Sequence, residues 1–159
     1  MPQPQPEHAW LQALIGEWTF ETQTPAAPGK PAETFRGAET IKSVGDLWIV
    51  GESEGAMPGG GKAKMMLTLG FDPQRNRFVG TWLGSMMTHL WIYEGRLDAA
   101  RKVLTLDAEG PSFADPAKVA KYQDIIEVLA ADHRTLRSRV QGEDGQWTQF
   151  MEAHYRRKR

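Results

Sequence analysis

The sequence predicts a single all-β domain, an antiparallel up-and-down β-barrel of about ten strands that follows one short helix. Three observations lead to this fold. Ten short segments alternate apolar and polar residues with the period of two that is typical of strands. Turn-forming pairs such as Gly45-Asp46, Asp72-Pro73 and Asp144-Gly145 separate most of these segments. No helical segment lies between the strands, which argues against a parallel sheet.

The N-terminal segment comes before the first strand and differs from the rest of the chain. Residues 1–7 are rich in proline and glutamine and are predicted to form a disordered tail, whereas residues 8–159 form the barrel domain. His8–Ile15 is predicted as a helix because its large apolar residues form one stripe, and Gly16 ends it. Because a helix of about two turns is unstable alone, we expect it to pack on one end of the barrel.

The order of the strands favours a closed barrel. Consecutive short hairpins fit a barrel better than a sandwich, which usually needs long crossing connections. Closure also removes exposed strand edges, and about ten strands should enclose a cavity. Loops Thr24–Pro31, Gly55–Lys62 and Gly110–Lys118 are rich in glycine and proline, and the last two are predicted to be mobile. The predicted strands are Glu17–Thr22, Glu33–Ser43, Leu47–Glu54, Ala63–Phe71, Arg77–Gly84, Thr88–Leu97, Lys102–Glu109, Val119–Leu129, Thr135–Gln141 and Trp147–Arg156.

Composition excludes several classes of function. With 19 basic and 20 acidic side chains, the net charge of -1 offers no field that would attract nucleic acid. The chain has no cysteine, so disulfides are excluded. It lacks a secretory signal pattern and any stretch of about 20 apolar residues that could span a bilayer. We therefore expect a cytoplasmic protein with no membrane or nucleic-acid partner, and a solvated tail at the basic cluster Arg156–Arg159.

Three motifs occur in a distinctive order. Gly16-Glu17-Trp18 follows the predicted helix, Gly70-Phe71-Asp72-Pro73 precedes Thr81–Met86, and Met151–Arg156 closes the chain. Together they resemble the bacterial domain-of-unknown-function family numbered 1579, whose members are lipocalin-like. The resemblance implies a lipocalin-like barrel and, as the family's label says, no established activity.

Candidate ligand-binding residues are large or ionisable side chains on strand faces that can point into the barrel. Glycines beside Trp82 leave room for its indole or for a ligand. The flexible thioether of Met86 suits an adaptable apolar pocket. The residues predicted to line the cavity are Trp18, Glu52, Trp82, Met86, His89 and Trp91.

Two registers remain open for Glu52. It shares a strand face with Trp48 and Val50. If that face points inward, burial would raise the pKa of Glu52 and suit it to acid/base chemistry. In the alternative register Leu47 and Ile49 point inward, and Glu52 lies in water.

His89 also allows two readings. It shares a strand face with Trp91 and Tyr93, so on an inward face it could act as a general base or as an axial ligand of haem. The simpler alternative is a partly buried side chain that is only hydrogen-bonded. No two histidines have a spacing with which one element could hold a metal, so the sequence predicts no metal site and no cofactor.

Two arginines of the ninth predicted strand are candidates for carboxylate binding. Internal arginines hold the carboxylate of fatty acids in barrels like the one that the sequence resembles. Arg137 and Arg139 alternate with Leu136, Ser138 and Val140. Because the leucine-valine face fits the core better, the two arginines are predicted to face solvent.

These features give three hypotheses of function. The first is a binding protein that holds a small hydrophobic or amphipathic molecule inside the barrel. The second is a hydrolase or isomerase that uses Glu52 or His89 as acid or base, although no catalytic set can be named. The third is a homodimeric interaction protein with a filled interior, which associates through the hairpin Phe78–Tyr93 because both faces of this hairpin are apolar.

Overall fold

The fold is a closed antiparallel barrel of ten strands, in which each strand pairs with its chain neighbours and the first pairs with the last. The predicted fold class is therefore confirmed. The computed structural model describes residues 1–23, 29, 31–57 and 60–158. Its elements are α1 (Pro6–Gln12), β1 (Gly16–Gln23), β2 (Thr34–Val44), β3 (Trp48–Ala56), β4 (Lys62–Asp72), β5 (Arg77–Gly84), β6 (Trp91–Leu97), β7 (Val103–Pro111), β8 (Val119–Ala130), β9 (His133–Gln141) and β10 (Trp147–Arg157).

The helix lies closer to the N-terminus than the sequence predicts. It includes Pro6, which belongs to the predicted tail, and it ends at Gln12 rather than at Ile15. The cause is a cap: the backbone N–H of Gln5 donates to Nδ1 of His8 over 2.9 Å. Proline at the first helical position fits this start, because its missing N–H would be unpaired there in any case.

Strand boundaries agree with the sequence prediction for β5 and shift elsewhere. β6 begins at Trp91, three residues after the predicted start, and β9 begins at His133, two residues before it. The second shift matters most, because it brings Arg134 into the sheet. The predicted loops Thr24–Pro31 and Gly55–Lys62 lie partly outside the described residues, which omit 24–28, 30, 58 and 59.

The helix closes one end of the barrel. Leu11 and Leu14 are buried in the same cluster as the inward residues of the strands. Nε2 of His8 contacts the carbonyl oxygen of Phe71 at 3.0 Å, and the Trp18 indole donates to the carbonyl of Leu14 over 2.9 Å. Because Nδ1 of His8 already accepts a hydrogen bond, Nε2 carries the proton and donates. Apolar burial and these hydrogen bonds together hold the short helix in place.

The prediction of a solvated basic tail is wrong for Arg157, which is bound to the body of the protein. Its guanidinium donates to the carbonyl oxygens of Ile15 at 2.5 Å and Ala13 at 3.0 Å, the residues that link α1 to β1. It also lies over the ring of Trp18, 4.3 Å from the ring centroid. Arg157 thus ties β10 to the end of the helix, while Arg156 and Lys158 are exposed.

The register decides which strand faces point inward. On β3, Ile49 and Gly51 are buried whereas Trp48, Glu52 and Glu54 are exposed. The inward placement predicted for Glu52 is therefore wrong, and the alternative register is the one adopted. The physical reason is that Ile49 packs into the core cluster. Because side chains alternate along a strand, the face that carries Trp48 and Glu52 must then point out of the barrel.

Arg137 and Arg139 on β9 lie outside the barrel, as predicted. Arg137 forms an ion pair with Glu127 at 2.8 Å, and Arg139 donates to the side-chain oxygen of Gln123 at 2.7 Å. Both partners belong to the neighbouring strand β8. In the described part of the chain, no helix has the length and apolar character needed to cross a membrane.

Candidate ligand-binding cavity

A cavity of about 460 Å³ occupies the interior of the barrel. Large apolar side chains fill the end next to α1, where Leu11, Ile49 and Leu104 are fully buried. The rest stays open because many inward positions carry small residues, which leave a closed barrel of this strand number unfilled. The small residues that line the cavity are Ser53, Gly55, Ala56, Ala63, Ala108, Ser138 and Ala153.

Methionines form much of the apolar wall. Five of them line the cavity, from the strands β4 and β10 and from the segments after β3 and β5: Met57, Met65, Met86, Met87 and Met151. The Trp91 indole donates to the sulfur of Met87 over 3.0 Å. Unbranched thioethers adapt their shape easily, so this wall can fit ligands of different outline.

Aromatic rings line another part of the cavity. Phe113 packs edge-on against Tyr122 and Phe150, with centroid distances of 5.4 and 5.0 Å. Trp91 meets the same Tyr122 ring at 4.8 Å, also edge-on. Phe113 is 66% exposed although it lines the cavity, so this ring lies where the cavity meets solvent.

A buried ion pair forms the first polar group of the cavity. Arg134 of β9 donates to Glu39 of β2, and their side chains are only 4% and 6% exposed. The second carboxylate oxygen of Glu39 accepts from the hydroxyl of Ser53 at 3.0 Å. The guanidinium carbon of Arg134 also lies 4.0 Å from the ring centroid of Tyr155 and 4.7 Å from that of Trp18. Both charges are thus compensated, and the arginine is held between two aromatic faces.

Two donors of this group have no hydrogen-bond partner among the described residues. One is Nε of Arg134, which is buried. The other is the hydroxyl of Tyr155, whose side chain lines the cavity. Burial, and next the negative charge of Glu39, raise the pKa of Tyr155 far above its ordinary value. The hydroxyl therefore keeps its proton and can donate a hydrogen bond.

Asp124 is the centre of the second polar group. Its carboxylate accepts from the hydroxyl of Ser138 at 2.6 Å and, through the other oxygen, from the hydroxyl of Tyr93. Burial raises the pKa of Asp124, although these two hydrogen bonds act in the opposite direction. Burial and the neighbouring carboxylate raise the pKa of Tyr93 well above its ordinary value. Burial therefore favours the neutral form of both side chains.

Three of the six predicted residues line the cavity. These are Trp82, Met86 and Trp91. Trp18 points inward but lies deeper, 1% exposed, below the guanidinium of Arg134. It belongs to the filled end of the barrel rather than to the wall of the cavity.

The two ionisable residues of the predicted set lie elsewhere. Glu52 is on the outer face of β3, as described above. His89 precedes β6, where Nε2 contacts the carbonyl oxygen of Glu109 at 3.0 Å and the ring packs edge-on against Trp91 at 4.7 Å. The structure does not bring Glu52 and His89 together, so the enzyme hypothesis gains no acid/base pair from them.

Histidines do meet on the outside of the barrel. Nε2 of His133 on β9 lies 3.0 Å from Nδ1 of His154 on β10. Spacing along the chain could not predict this pair, because it forms across two strands. Among the residues that the structure describes, no group of three or more histidine, aspartate or glutamate side chains could hold a metal ion.

Sequence reasoning missed the three charged residues of the cavity. Arg134 stands two positions before Leu136, Glu39 two before Ile41, and Asp124 two before Ile126. Each therefore continues an apolar face with a charged side chain, and each comes from an inward position of its strand. A charge in register with a buried stripe is the signal that could have found them.

The family model described as a protein of unknown function, DUF1579, matches residues 3–157. The chain belongs to the DUF1579 family. This confirms the resemblance carried by the three sequence motifs. Among curated proteins, none matches this DUF1579 chain.

Solved structures that resemble this DUF1579 barrel share its fold at low sequence identity. Rv2717c from M. tuberculosis has a TM-score of 0.61 and 12% identity, over 99% of this chain and 100% of that one. The S-type phycobiliprotein lyase CPES from Guillardia theta has a TM-score of 0.58 and 14% identity, over 99% of both chains. EF1p2_mFAP2b, solved bound to DFHBI, has a TM-score of 0.50 and 12% identity, over 95% of this chain and 98% of that one.

Proposed function

We propose that this protein binds a small hydrophobic or amphipathic molecule inside its barrel. The observation that carries the proposal is the cavity of about 460 Å³, whose wall is mostly apolar and holds a few fixed polar groups. This combination is typical of ligand sites, in which apolar contacts supply affinity and polar groups fix orientation.

The fold comparison supports this use of a barrel. EF1p2_mFAP2b, which shares the fold, was solved with the small molecule DFHBI bound. The support concerns the architecture alone, because the identity is 12%. The residues that would select a ligand in the present chain are its own.

A fluorescence titration tests the proposal. The uncharged probe N-phenyl-1-naphthylamine brightens when it leaves water, and we expect it to bind one site per chain. Leu67→Trp enlarges a side chain that lines the cavity, so it should weaken probe binding at least about tenfold, which corresponds to about 1.4 kcal/mol. Met66→Trp is the matched control, since Met66 is the preceding residue on β4 and is exposed.

Two results would overturn the proposal. One is a wild-type protein that binds no probe although its circular dichroism shows an intact barrel. The other is equal loss of binding in Leu67→Trp and Met66→Trp, which would place the bound probe outside the barrel.

We also propose that the protein forms a homodimer through the outer face of β3–β6. The observation that favours it is a cluster of exposed apolar side chains on neighbouring strands: Met66 is opposite Leu83 on β5, and Ile92 of β6 is opposite Thr81 of β5. Ile92 is 64% exposed, and Leu83 and Met66 are also exposed. Surfaces of this kind on soluble proteins mark interaction sites.

The charges beside this surface favour a second copy of the chain as the partner. Glu54 and Lys64 lie opposite each other on β3 and β4, beside the apolar rows. A two-fold axis can therefore place each charge near its opposite. Trp91, by contrast, lines the cavity, so the interface uses only the outer residues of the predicted hairpin.

Sedimentation equilibrium tests the dimer. Ile92→Asp should convert it to monomer, because the aspartate would be buried without a partner. Val119→Asp is the control, since Val119 is 71% exposed on another part of the barrel. A monomeric wild-type protein, or a dimer that survives Ile92→Asp, would contradict the proposal.

A further inference from the structure

We infer that the cavity takes an uncharged ligand whose polar end, such as a carbonyl or a hydroxyl, accepts a hydrogen bond from Tyr155, and that it discriminates against carboxylate anions. The inference rests on the proposed function and adds the chemical class of the ligand. It follows from the charges, the donors and the acceptors that the cavity presents.

The charged side chains of the cavity carry no net positive charge. Those that line it among the described residues are Glu39, Asp124 and Arg134. The positive charge of Arg134 is already neutralised by Glu39 in the buried ion pair. Asp124 adds either one negative charge or none, depending on its protonation. An anionic ligand would therefore be taken out of water without a cation to compensate it.

The other arginines of β9 do not change this balance. Arg137 pairs with Glu127 and Arg139 bonds Gln123, both on the outer surface. Neither guanidinium lines the cavity. The carboxylate clamp considered from the sequence is therefore not formed by these residues.

The carboxylate oxygens that line the cavity already accept hydrogen bonds from other residues of the protein. Both carboxylate oxygens of Glu39 accept hydrogen bonds, from Arg134 and Ser53. Both oxygens of Asp124 accept as well, from Tyr93 and Ser138. A ligand donor would have to share a carboxylate oxygen that already accepts a hydrogen bond from the protein.

Beside Nε of Arg134, which is buried, the hydroxyl of Tyr155 is an unpartnered donor on the cavity wall. It has no hydrogen-bond partner among the described residues, and its ring is fixed between the guanidinium of Arg134 and the ring of Phe20. The centroid distance to Phe20 is 5.2 Å. A donor that is held in place and lacks an acceptor selects a ligand atom that accepts. The surrounding apolar wall then selects an apolar body.

A competition series with ligands of equal chain length tests the class. The ligands 1-decanol, methyl decanoate and decanoic acid displace N-phenyl-1-naphthylamine from the wild-type protein at about pH 8, where the acid is ionised. We expect the alcohol and the ester to compete at concentrations at least about tenfold lower than the acid. The comparison needs no variant, so it does not depend on how any substitution folds.

Any anion pays a desolvation cost in an apolar site. Two variants separate this general cost from the selectivity that Tyr155 and Glu39 give to the cavity. Tyr155→Phe keeps the ring and removes the donor, so the affinity for 1-decanol relative to that for the probe should fall at least about fivefold. Glu39→Gln removes the charge that neutralises Arg134, so the ratio of acid to alcohol affinity should rise at least about tenfold. If Glu39→Gln does not fold, the inference is tested by the order of the three ligand affinities in the wild-type protein and by Tyr155→Phe.

The outcomes distinguish this inference from the proposed function. If the probe binds but decanoate competes as well as 1-decanol, the inference is overturned and the binding function stands. If the probe binds and Tyr155→Phe leaves the ratio of 1-decanol to probe affinity unchanged, the assigned donor is wrong. If the probe does not bind to the folded protein, the binding function fails and this inference fails with it.

Discussion

The ion pair of Glu39 and Arg134 is the residue-level feature with the largest expected effect on stability. Glu39→Ala leaves the charge of Arg134 buried without its partner, which should lower the free energy of unfolding by about 3–5 kcal/mol. Replacing both residues, as Glu39→Met with Arg134→Met, should recover much of that loss because no charge stays buried. Urea denaturation measures both effects.

An exposed ion pair provides the control. Arg36 and Glu21 are in contact at 2.9 Å on neighbouring strands, but their side chains are 73% and 57% exposed. Glu21→Ala should therefore change stability by less than about 1 kcal/mol. Equal losses in Glu21→Ala and Glu39→Ala would show that the inner pair is not isolated from water.

The raised pKa of Asp124 should make the stability of the protein depend on pH. Burial raises its pKa above the ordinary 3.8, so the folded state holds the proton more tightly than the unfolded chain does. Its contribution to stability is then largest below pH 3.8 and declines as the pH rises to the raised pKa. Asp124→Asn cannot ionise, so the stability of the wild type relative to this variant should fall with rising pH over that window.

Denaturation of both proteins between about pH 3 and pH 8 measures this difference. A difference that does not vary with pH, or that grows as the pH rises, would show that the carboxyl is not desolvated as described.

The geometry of the junction between α1 and β1 depends on one glycine. Gly16 has a φ of 140°, and a Cβ there would lie 2.4 Å from Nη1 of Arg157. Gly16→Ala should therefore lower stability by at least about 2 kcal/mol, from backbone strain and from displacement of Arg157. Thermal unfolding, followed by circular dichroism, measures the change.

Gly45 is the control for a positive φ without a nearby side chain. It also has a positive φ, 63°, but nothing lies within 4 Å of a Cβ at that position. Gly45→Ala should cost only about 1 kcal/mol. If both variants lose the same stability, the contact between Arg157 and the helix end contributes nothing.

Most elements were predictable because a strand with one buried face alternates its residue types, and the turns carry glycine, proline and aspartate. β5 shows this directly, since its observed bounds are those predicted. The start of β9 was missed because Arg134 is charged and follows closely after the turn residues Ala131-Asp132. Its buried position depends on Glu39, which lies 95 positions away in the chain.

The cavity depends on the whole molecule. Closure of ten strands was predictable from successive hairpins, and the apolar residues Trp82, Met86 and Trp91 were found among its lining. The polar groups were not, because each includes a hydrogen bond between strands that are not neighbours, such as Tyr93 of β6 with Asp124 of β8. Local periodicity assigns a side chain to a face, but the partner that makes a buried charge tolerable is set by closure of the barrel.

A crystal structure of the protein with N-phenyl-1-naphthylamine bound would show whether the barrel keeps an open interior that a ligand can enter. We expect electron density for the naphthyl ring among Leu67, Leu106 and Leu136, which line the cavity. An interior closed by rearranged side chains, or density found only on the outer surface, would contradict this expectation.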